Sequence, residues 1–411
     1  MRTHKASLPM LFSVVFMDMV GFGFIIPLIP DYIAKFGGDP ALAGLLQASY
    51  AIGQFFAAPI VGRLSDRYGR KPLFLFSIGG TFLSLLLLGF APSIGFLFLS
   101  RILDGLTGGN ITVAQSYIVD ITDNKDRARG LGLIGMAFGL GFIIGPLFGG
   151  LLSQFGIAVP AFVAAGIAFV NLLLIGFVLP ESLTAERKEE LAKNPRRAFS
   201  GRLLLETLRR RGTGPVLHMT IIYSFAFVLF ESMFAIFAST ALGLDSTTRG
   251  FLLAYVGVLV AFVQGGLVGA LAKRFDERKL AVAGISMAAG GLLLYALSPS
   301  LVVLVIALLP LSIGSGIGNT MLRTLLTKSV PRESSGGTLG IASSVESLTR
   351  IAGPLAGGAL LGLLGPRMPG IAASILAGYT AWFGYRFLIK EDCLAEGGAA
   401  CSEPAPNTPS T

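Results

Sequence analysis

The sequence predicts an all-α polytopic membrane protein whose twelve transmembrane helices form two pseudo-symmetric six-helix bundles. Three observations support this fold class: the composition, the spacing of the apolar segments and an internal repeat. Of the 411 residues, 53% are hydrophobic and only 13% are charged, which is far too apolar for a soluble multidomain protein. Most of the 32 Lys and Arg residues lie in loops on one predicted side, so the net charge of +9 indicates contact with anionic lipid and not with nucleic acid.

Apolar segments of about 20 residues, the length that crosses roughly 30 Å of hydrocarbon, divide the chain into two groups of six. The N-terminal bundle, 1–180, has predicted spans near 9–33, 41–61, 73–92, 95–119, 130–153 and 158–180. The C-terminal bundle, 215–390, has predicted spans near 215–240, 248–272, 280–298, 300–327, 338–364 and 369–390.

Two segments without long apolar runs complete the chain. Segment 181–214 is rich in Arg and is predicted as a cytoplasmic linker, part of it an amphipathic helix on the membrane surface. The tail 391–411 is rich in Ala, Gly, Pro and Ser and is predicted as disordered and cytoplasmic. Because both cysteines, Cys393 and Cys401, lie in this tail, the sequence indicates no disulfide framework.

The two halves repeat each other. GNITVAQSYIVDIT at Gly109 matches GNTMLRTLLTKSVP at Gly318, and GPLFGGLL at Gly145 matches GPLAGGAL at Gly353. Two sequential six-span repeats place both termini on one face and a cavity between the halves near the bilayer midplane, which is transporter geometry. Because the cationic loops mark the cytoplasmic side, both termini are predicted to be cytoplasmic in a multi-pass protein of the inner (plasma) membrane.

A dense charged segment, GRLSDRYGRKP, separates the second and third predicted spans and is expected to form a short loop. Asp66 and Arg70 stand four residues apart, acid before base, which favours an ion pair on a helical turn. One interpretation is a solvated loop with ordinary charges. The functional interpretation places Asp66 against the free amides at 334–337, before span eleven, where it would hold the two halves closed. The residues of this predicted latch are Gly62, Asp66, Arg67, Gly69, Arg70 and Lys71.

The predicted fifth span carries a row of small residues and an interrupting proline. Small residues four positions apart let helices approach closely inside a membrane. One interpretation is simple packing, and the functional interpretation adds that a tight, kinked contact between the halves prevents proton leak. The residues of this predicted antiporter helix are Gly135, Gly139, Gly141, Gly145, Pro146, Gly149 and Gly150.

Four motifs in order resemble the major facilitator superfamily. GRLSDRYGRKP is similar to its loop signature after the second span, RILDGLTGGN at Arg101 to its fourth-span motif, and GMAFGLGFIIGPLFGG at Gly135 to the fifth-span motif of its antiporters. DMVGFGFIIPLIP at Asp18 resembles the first span of twelve-span drug:proton antiporters, the branch of the tetracycline exporters. The resemblance implies the major facilitator fold, alternating access driven by inward proton movement, and a latch pair between Arg70 and Asp120.

The chain departs from the tetracycline exporters in two places. The resemblance implies a histidine in span eight and an acid in span nine, whereas 251–272 contains no histidine and 280–298 contains no acid. The motifs therefore indicate the branch without indicating tetracycline as the substrate.

Ionisable residues inside spans are costly and therefore mark candidate functional sites. Asp18 is expected to carry the coupled proton, because burial raises the pKa of a carboxyl group and a nearby cation lowers it, so that such a group can load and release a proton around neutral pH. The alternative is a structural hydrogen-bonding role. The resemblance implies that Arg101 is the counter-charge of Asp18. Asp104 lies one turn from Arg101, and an equal alternative is that Asp104 simply neutralises Arg101. Glu231 in the seventh span is expected to take the proton or a cationic drug, or simply to line the cavity.

Further polar residues in the spans are candidates for a substrate path. Glu346 and Arg350 stand four apart in the eleventh span and most simply pair with each other. Such polar groups in membrane spans are more often interhelical hydrogen-bonding partners than ligands. The possible substrate cavity comprises Gln47, Gln54, Asn110, Glu231, Glu346 and Arg350.

The leading hypothesis is a proton-coupled secondary transporter that exports small amphipathic drugs or metabolites by alternating access. An alternative is a sugar or other metabolite carrier, and a hypothesis of another class is a non-transporting membrane sensor. An enzyme is not expected, since the histidines are His4 and His218 and no catalytic or phosphate-binding motif is present. We expect no cofactor and no metal, with protons, a small molecule and the lipid bilayer as partners of a monomer.

Overall fold

A computed structural model describes residues 2–184, 186, 188, 206–209, 212–329 and 335–390. Within these ranges the chain forms helices and short connections, with no strand. Most of the predicted linker, 181–214, and the whole of the predicted tail, 391–411, lie outside the described residues.

The N-terminal half follows the first six predicted spans. Its helices are α1 (Arg2–Ile25), α2 (Ile29–Lys35), α3 (Leu42–Tyr68), α4 (Arg70–Gly89), α5 (Ile94–Thr107), α6 (Asn110–Ile121), α7 (Asn124–Leu152) and α8 (Val159–Phe177). A 3₁₀ turn, Ile26–Leu28, joins α1 to α2, and another, Ser153–Phe155, follows α7. Prolines stand at the second positions of the turn and of α2, within the first helical turn, where a missing N–H costs no helical hydrogen bond.

The C-terminal half follows the last six predicted spans. Its helices are α9 (Thr213–Thr240), α10 (Ser246–Phe262), α11 (Val268–Ala272), α12 (Glu277–Ala296), α13 (Leu301–Lys328), α14 (Ser335–Leu364) and α15 (Met368–Gly384). A π-helical turn, Val263–Leu267, joins α10 to α11, and a second, Tyr385–Lys390, follows α15.

Ten helical segments in the described part of the chain are long and apolar enough to cross a membrane, by length and composition. The two other predicted spans are interrupted. Gly108 and Gly109 divide the fourth span into α5 and α6, and the twelfth consists of the 17-residue α15 and its π turn. Neither therefore forms one regular helix of the roughly 20 residues that a bilayer requires.

The charged segment after the second span is helical, so the expectation of a short loop is wrong. Helix α3 continues to Tyr68 and α4 begins at Arg70, leaving Gly69 alone between them. Gly69 has a φ of 119°, a conformation that favours glycine because it has no Cβ. The charged side chains are thereby held on two rigid helix ends.

Each half has its own hydrophobic core. Helix α1 packs on α7 and α8 in the N-terminal half, and α9 packs on α14 and α15 in the C-terminal half. Two helix pairs join the halves, α7 with α10 and α14 with α3. The molecule therefore consists of two packed bundles that meet along two seams, with space between the seams.

Candidate functional site

A cavity of about 220 Å³ lies between the halves. Its apolar wall is aromatic and comes mainly from α1 and α7. The Phe22 ring is tilted against Tyr50 and Phe142, with ring centroids 5.5 and 6.3 Å away, and Phe138 stacks on Phe142 with centroids 6.3 Å apart. The polar side chains of the wall are Gln47, Gln54, Arg101, Glu231, Ser232 and Arg350.

A smaller cavity, of about 30 Å³, shares lining residues with the first and is also lined by Asp18. The Asn110 Nδ2 atom lies 2.9 and 3.0 Å from the two carboxylate oxygens of Asp18, to which it donates. Asn110 is the first residue of α6, directly after the break at Gly108 and Gly109. A Cβ on Gly109 would lie 2.7 Å from the Val61 Cβ, so the tight passage of the backbone here requires glycine and aims Asn110 at Asp18.

Arg101 pairs with Asp104 and not with Asp18. Its Nη1 lies 3.4 Å from Asp104 Oδ2, and Asp104 also accepts from the Thr81 hydroxyl at 3.1 Å. No ion pair joins Asp18 to Arg101 in the part of the chain that the structure describes, so the implied counter-charge is absent in this state. The Nε and Nη2 atoms of Arg101 are buried without hydrogen-bond partners. Arg101 nevertheless lines both cavities, together with Tyr50 and Gln54.

The predicted latch forms a compact cluster around Arg70, which is 1% exposed. Arg70 Nε donates to Asp120 at 2.7 Å, while Nη1 donates to Asp66 at 2.5 Å and to the Ser65 hydroxyl at 2.7 Å. The Arg70–Asp120 contact implied by the family resemblance is thus present. Ser334 lies outside the described residues, so the contact between Asp66 and the start of span eleven stays a prediction.

Glu181 completes this cluster and was missed in the sequence. Its carboxylate accepts from the backbone N–H groups of Arg70 and Lys71, at 2.9 and 3.1 Å, and so caps the start of α4. Its place in the sequence is a weak signal, because it directly follows the sixth span and Pro180. Of the other predicted latch residues, Arg67 is exposed and Lys71 is half-buried, and a Cβ on Gly62 would lie 3.3 Å from the Thr112 methyl group.

The glycine row of α7 faces α1 within the same half. A Cβ on Gly141 would lie 2.5 Å from the Met19 Cβ, one on Gly145 2.7 Å from the Gly23 Cα, and one on Gly149 2.7 Å from the Phe24 Cα. These distances are too short for any side chain, so the three glycines set the approach of the two helices. The functional interpretation of the sequence placed these glycines in a contact between the halves. In the structure, Gly141, Gly145 and Gly149 instead pack α7 on α1 within one half.

Two predictions for this helix are wrong. No atom lies within 4 Å of a Cβ built on Gly135 or Gly139 among the described residues, because these positions face away from α1. Pro146 does not interrupt the helix, since α7 runs continuously from Asn124 to Leu152. In membrane helices, neighbouring helices and ordered waters can hydrogen-bond the backbone groups that a proline leaves without partners, so a helix can continue through a proline.

The halves meet instead through a second pair of glycines, repeated by the pseudo-symmetry. In the first seam, a Cβ on Gly150 would lie 3.2 Å from the Gly250 Cα, and the Pro146 carbonyl contacts Gly250. In the second seam, a Cβ on Gly358 would lie 3.2 Å from the Gly44 Cα. The Pro354 carbonyl contacts Gly44 in the same way. The seams are thus equivalent in construction.

A family model described as Major Facilitator Superfamily matches residues 11–354 and 219–392. The chain belongs to the Major Facilitator Superfamily. The resemblance read from the four motifs is therefore confirmed, and the chain is a multi-pass membrane transporter of this superfamily.

Relatives and solved structures agree with this assignment. The chain is 33% identical over 368 residues to the tetracycline resistance protein, class C, of Escherichia coli, covering 86% of this chain and 89% of that protein. It is 28% identical over 374 residues to multidrug resistance protein 2 of Bacillus subtilis, covering 88% and 90%. A bacterial homologue of the human lysosomal transporter Spinster, inward-facing and occupied, has the same fold, with a TM-score of 0.74 at 18% identity over 93% of this chain and 96% of that one.

Polar contacts near one end of this superfamily member bind the halves together, and the sequence did not reveal them. Arg249, at the start of α10, is fully buried and pairs with Asp31 of α2. Ser153 and Ser246 share a hydrogen bond of 2.6 Å, and Gln47 Nε2 donates to the carbonyl of Ser232 at 2.7 Å. Arg249 stands at the start of the eighth predicted span, away from the side where most Lys and Arg residues lie, and that position was the available signal.

The remaining cavity residues take different roles. Glu346 pairs with Arg323 of α13, at 3.1 Å, and not with Arg350, so the predicted Glu346–Arg350 pair is wrong. Arg323 reaches the Glu346 carboxylate from the neighbouring helix, and Glu346 therefore pairs with Arg323 and not with Arg350, which lies one turn away on its own helix. Gln54 donates to the Tyr50 hydroxyl at 2.9 Å, and Glu231 and Arg350 line the central cavity.

Proposed function

We propose that this superfamily member is a proton-coupled secondary transporter that exports small amphipathic drugs or metabolites by alternating access. One observation carries the proposal: the cavity that holds Asp18 shares Tyr50, Gln54 and Arg101 with the large cavity between the halves. A change in the charge of Asp18 therefore alters the electrostatic environment of Tyr50, Gln54 and Arg101, which also face the cargo. The relatives named tetracycline resistance and multidrug resistance proteins support export.

Asn110 is proposed to respond to the protonation state of Asp18. The ionised carboxylate accepts from the Asn110 amide nitrogen, as observed, whereas a protonated carboxyl group also needs an acceptor. The Asn110 Oδ1 atom is buried and has no partner among the described residues. Rotation of the amide brings that oxygen to the acid, so the same two side chains satisfy both states without opening the site to water.

The two seams are proposed as the elements that open and close. They are narrow, built from glycine and proline backbone, and reinforced at one end by the Asp31–Arg249 pair. Close-packed contacts of this kind break as units and do not stretch, which favours two discrete arrangements over a continuum. In the proposed cycle, the protein alternates between two arrangements. In one, the seams and the Asp31–Arg249 pair are formed, and in the other they are broken and the predicted latch around Arg70 holds the opposite end closed.

The cellular arrangement belongs to the same proposal. We place the protein in the inner (plasma) membrane as a monomer, with bundles 1–180 and 215–390, a cytoplasmic linker 181–214 and both termini in the cytoplasm. The cationic end of α3 and start of α4, with Arg63, Arg67, Arg70 and Lys71, supports this orientation.

The test is proton movement in sealed vesicles. Purified protein is reconstituted with a pH-sensitive dye inside, and ethidium or tetracycline is added on one side as the probe. An exchanger produces a probe-dependent pH change that disappears in Asp18→Asn, whereas a sensor produces none. Uphill probe movement with the proton gradient and voltage both collapsed by ionophores would contradict the proposal.

A further inference from the structure

Arg350 is an uncompensated charge at the middle of the membrane. It is the sixteenth of the 30 residues of α14, so at 1.5 Å per residue it lies roughly 20 Å from either helix end. Its side chain is exposed to the central cavity. An arginine at this depth is costly unless it has a partner, and such residues mark ion or substrate paths by default.

The neighbouring acids do not supply that partner. Glu346, one turn before Arg350, is committed to Arg323. Glu231 lines the same cavity from α9, yet no ion pair joins it to Arg350 in the described structure. The guanidinium group therefore presents its five N–H donors to the cavity.

Among the described residues, the cavity wall carries two cationic side chains, Arg101 and Arg350, and one acidic side chain. Besides Arg350, Arg101 lines the cavity, although its Nε and Nη2 atoms are enclosed by the protein. Glu231 is the acidic side chain of the cavity wall. Buried donors left without acceptors are expensive, and a bidentate pair between arginine and carboxylate satisfies two of them at once.

We propose that the central cavity binds an aromatic molecule that carries a carboxylate or comparable anionic group, with Arg350 as the residue that recognises the anion. Phe22, Phe138 and Phe142 form the wall against which the aromatic body packs. Glu231 receives a basic group where the cargo has one, which extends the site to zwitterions. The inference rests on the proposed function, because it names the class of cargo that the transporter carries.

A pair of dyes that differ only at the acid provides the test. Rhodamine 110 has a free carboxylate, and rhodamine 123 is its methyl ester with the same cationic aromatic ring. Binding of each dye to the full chain in lipid nanodiscs is measured by fluorescence anisotropy, with no proton gradient present. The wild-type protein should prefer the acid by roughly 10- to 100-fold, the effect of hydrogen bonds to a charged group.

Variants assign this preference to one residue. Arg350→Gln should abolish the preference while the ester binds as before, which also demonstrates that the variant is folded. Arg350→Lys should retain part of it, because an ammonium group keeps the charge without the planar fork. Lys328→Gln is the control: its side chain is 63% exposed and paired with Glu277, and neither residue lines the central cavity, so it should change the binding of neither dye.

Several outcomes would overturn the inference. They are equal binding of acid and ester by the wild type, binding of neither dye, and an unchanged preference in Arg350→Gln. Binding without a gradient is independent of coupling, so the two proposals fail separately. Tighter binding of the acid than of the ester, without proton movement in vesicles, would contradict the transport proposal. Proton movement with equal binding of the two dyes would contradict the role assigned to Arg350.

Discussion

The two halves of this transporter share a fold but hold their charges differently. In the N-terminal half, Arg70, Arg101 and Asp104 are all at least 90% buried, with Arg70 paired to Asp120 of α6 and Arg101 to Asp104 of its own helix. In the C-terminal half, the Arg323–Glu346 and Lys328–Glu277 pairs are exposed on at least one side. Among the described residues, the buried ion pairs formed within one half thus lie in the N-terminal half, whereas the buried Arg249 of the C-terminal half pairs across to Asp31 of the other half.

The helix starts show the same contrast. Asp245, Asp276 and Ser300 cap helices α10, α12 and α13 with their own side chains in the C-terminal half. No N-cap side chain forms such a bond at α3 to α8, and α4 is capped from a distance by Glu181. The N-terminal half thus depends more on tertiary contacts and the C-terminal half more on local ones.

The largest effect is expected at the buried acid of the N-terminal half. Asp18→Asn should abolish probe-driven proton movement, a loss of at least roughly 100-fold, because the amide cannot carry the proton. Glu231→Gln, the corresponding removal of an acid from the C-terminal half, should keep coupling and change which probes are carried. Both are measured by the dye-filled vesicles, with surface expression as the control. Coupling that survives in Asp18→Asn but fails in Glu231→Gln would reverse the comparison.

Breaking the buried cluster around Arg70 should be the next largest effect. Arg70→Met leaves the Asp120 carboxylate, 4% exposed, without its cation, and we expect a destabilisation of about 3–5 kcal/mol. Arg323→Met in the C-terminal half removes an exposed pair and should cost no more than about 1 kcal/mol. Unfolding in detergent, followed by the fluorescence of the single tryptophan, Trp382, measures both. Equal losses would show that burial does not distinguish the halves.

The seams are where the halves should behave alike. Gly250→Ala and Gly44→Ala each insert a methyl group beside a facing glycine, and overpacking of this kind costs about 1–3 kcal/mol. Both should weaken the closed seam, seen as slower cross-linking of S153C with S246C in a chain whose native cysteines are replaced by serine. Gly135→Ala and Gly139→Ala, which meet open space, should leave cross-linking unchanged. A strong effect of the latter two would restore the role that the sequence predicted for them.

The sequence predicted the fold well because apolar run length is a local property. Each of the twelve predicted spans overlaps a helical segment, and the repeat of GPLFGGLL and GPLAGGAL correctly indicated equivalent helices. Partner choice is not local. The spacing of Glu346 and Arg350 permits a pair, but only the packing of α13 beside α14 reveals that Arg323 takes the acid.

The face of a helix that meets a neighbour is equally hidden from the sequence. The glycines of α7 recur every one to four residues, yet Gly145 faces α1, Gly150 faces α10 and Gly139 faces open space. Arg249 resembled a loop cation because it stands near the start of its span, whereas its side chain turns into the contact between the halves. The sequence could thus identify candidate residues at the site but not which of them touch.

The smallest effect is expected at a local cap of the C-terminal half. Asp245 lies just before α10, outside the membrane segment, and accepts from the hydroxyl and the backbone N–H of Thr248. Asp245→Ala should cost about 1 kcal/mol, whereas Asp245→Asn, another good cap, should cost less. The same tryptophan-monitored unfolding measures both, and an alanine variant as stable as the wild type would contradict the contrast in helix starts.

The pH dependence of this cap has a definite sign. The hydrogen bond from the Thr248 hydroxyl, ahead of the backbone hydrogen bond, lowers the pKa of Asp245 below its ordinary value. A carboxyl group whose pKa is lower in the folded state stabilises the fold above its unfolded pKa, near 3.9, and loses that contribution as pH falls through the folded value. The stability difference between wild type and Asp245→Ala should therefore be constant from pH 7 to about 5 and shrink below about 4. A difference that grew on acidification would show that the cap acts through packing and not through its charge.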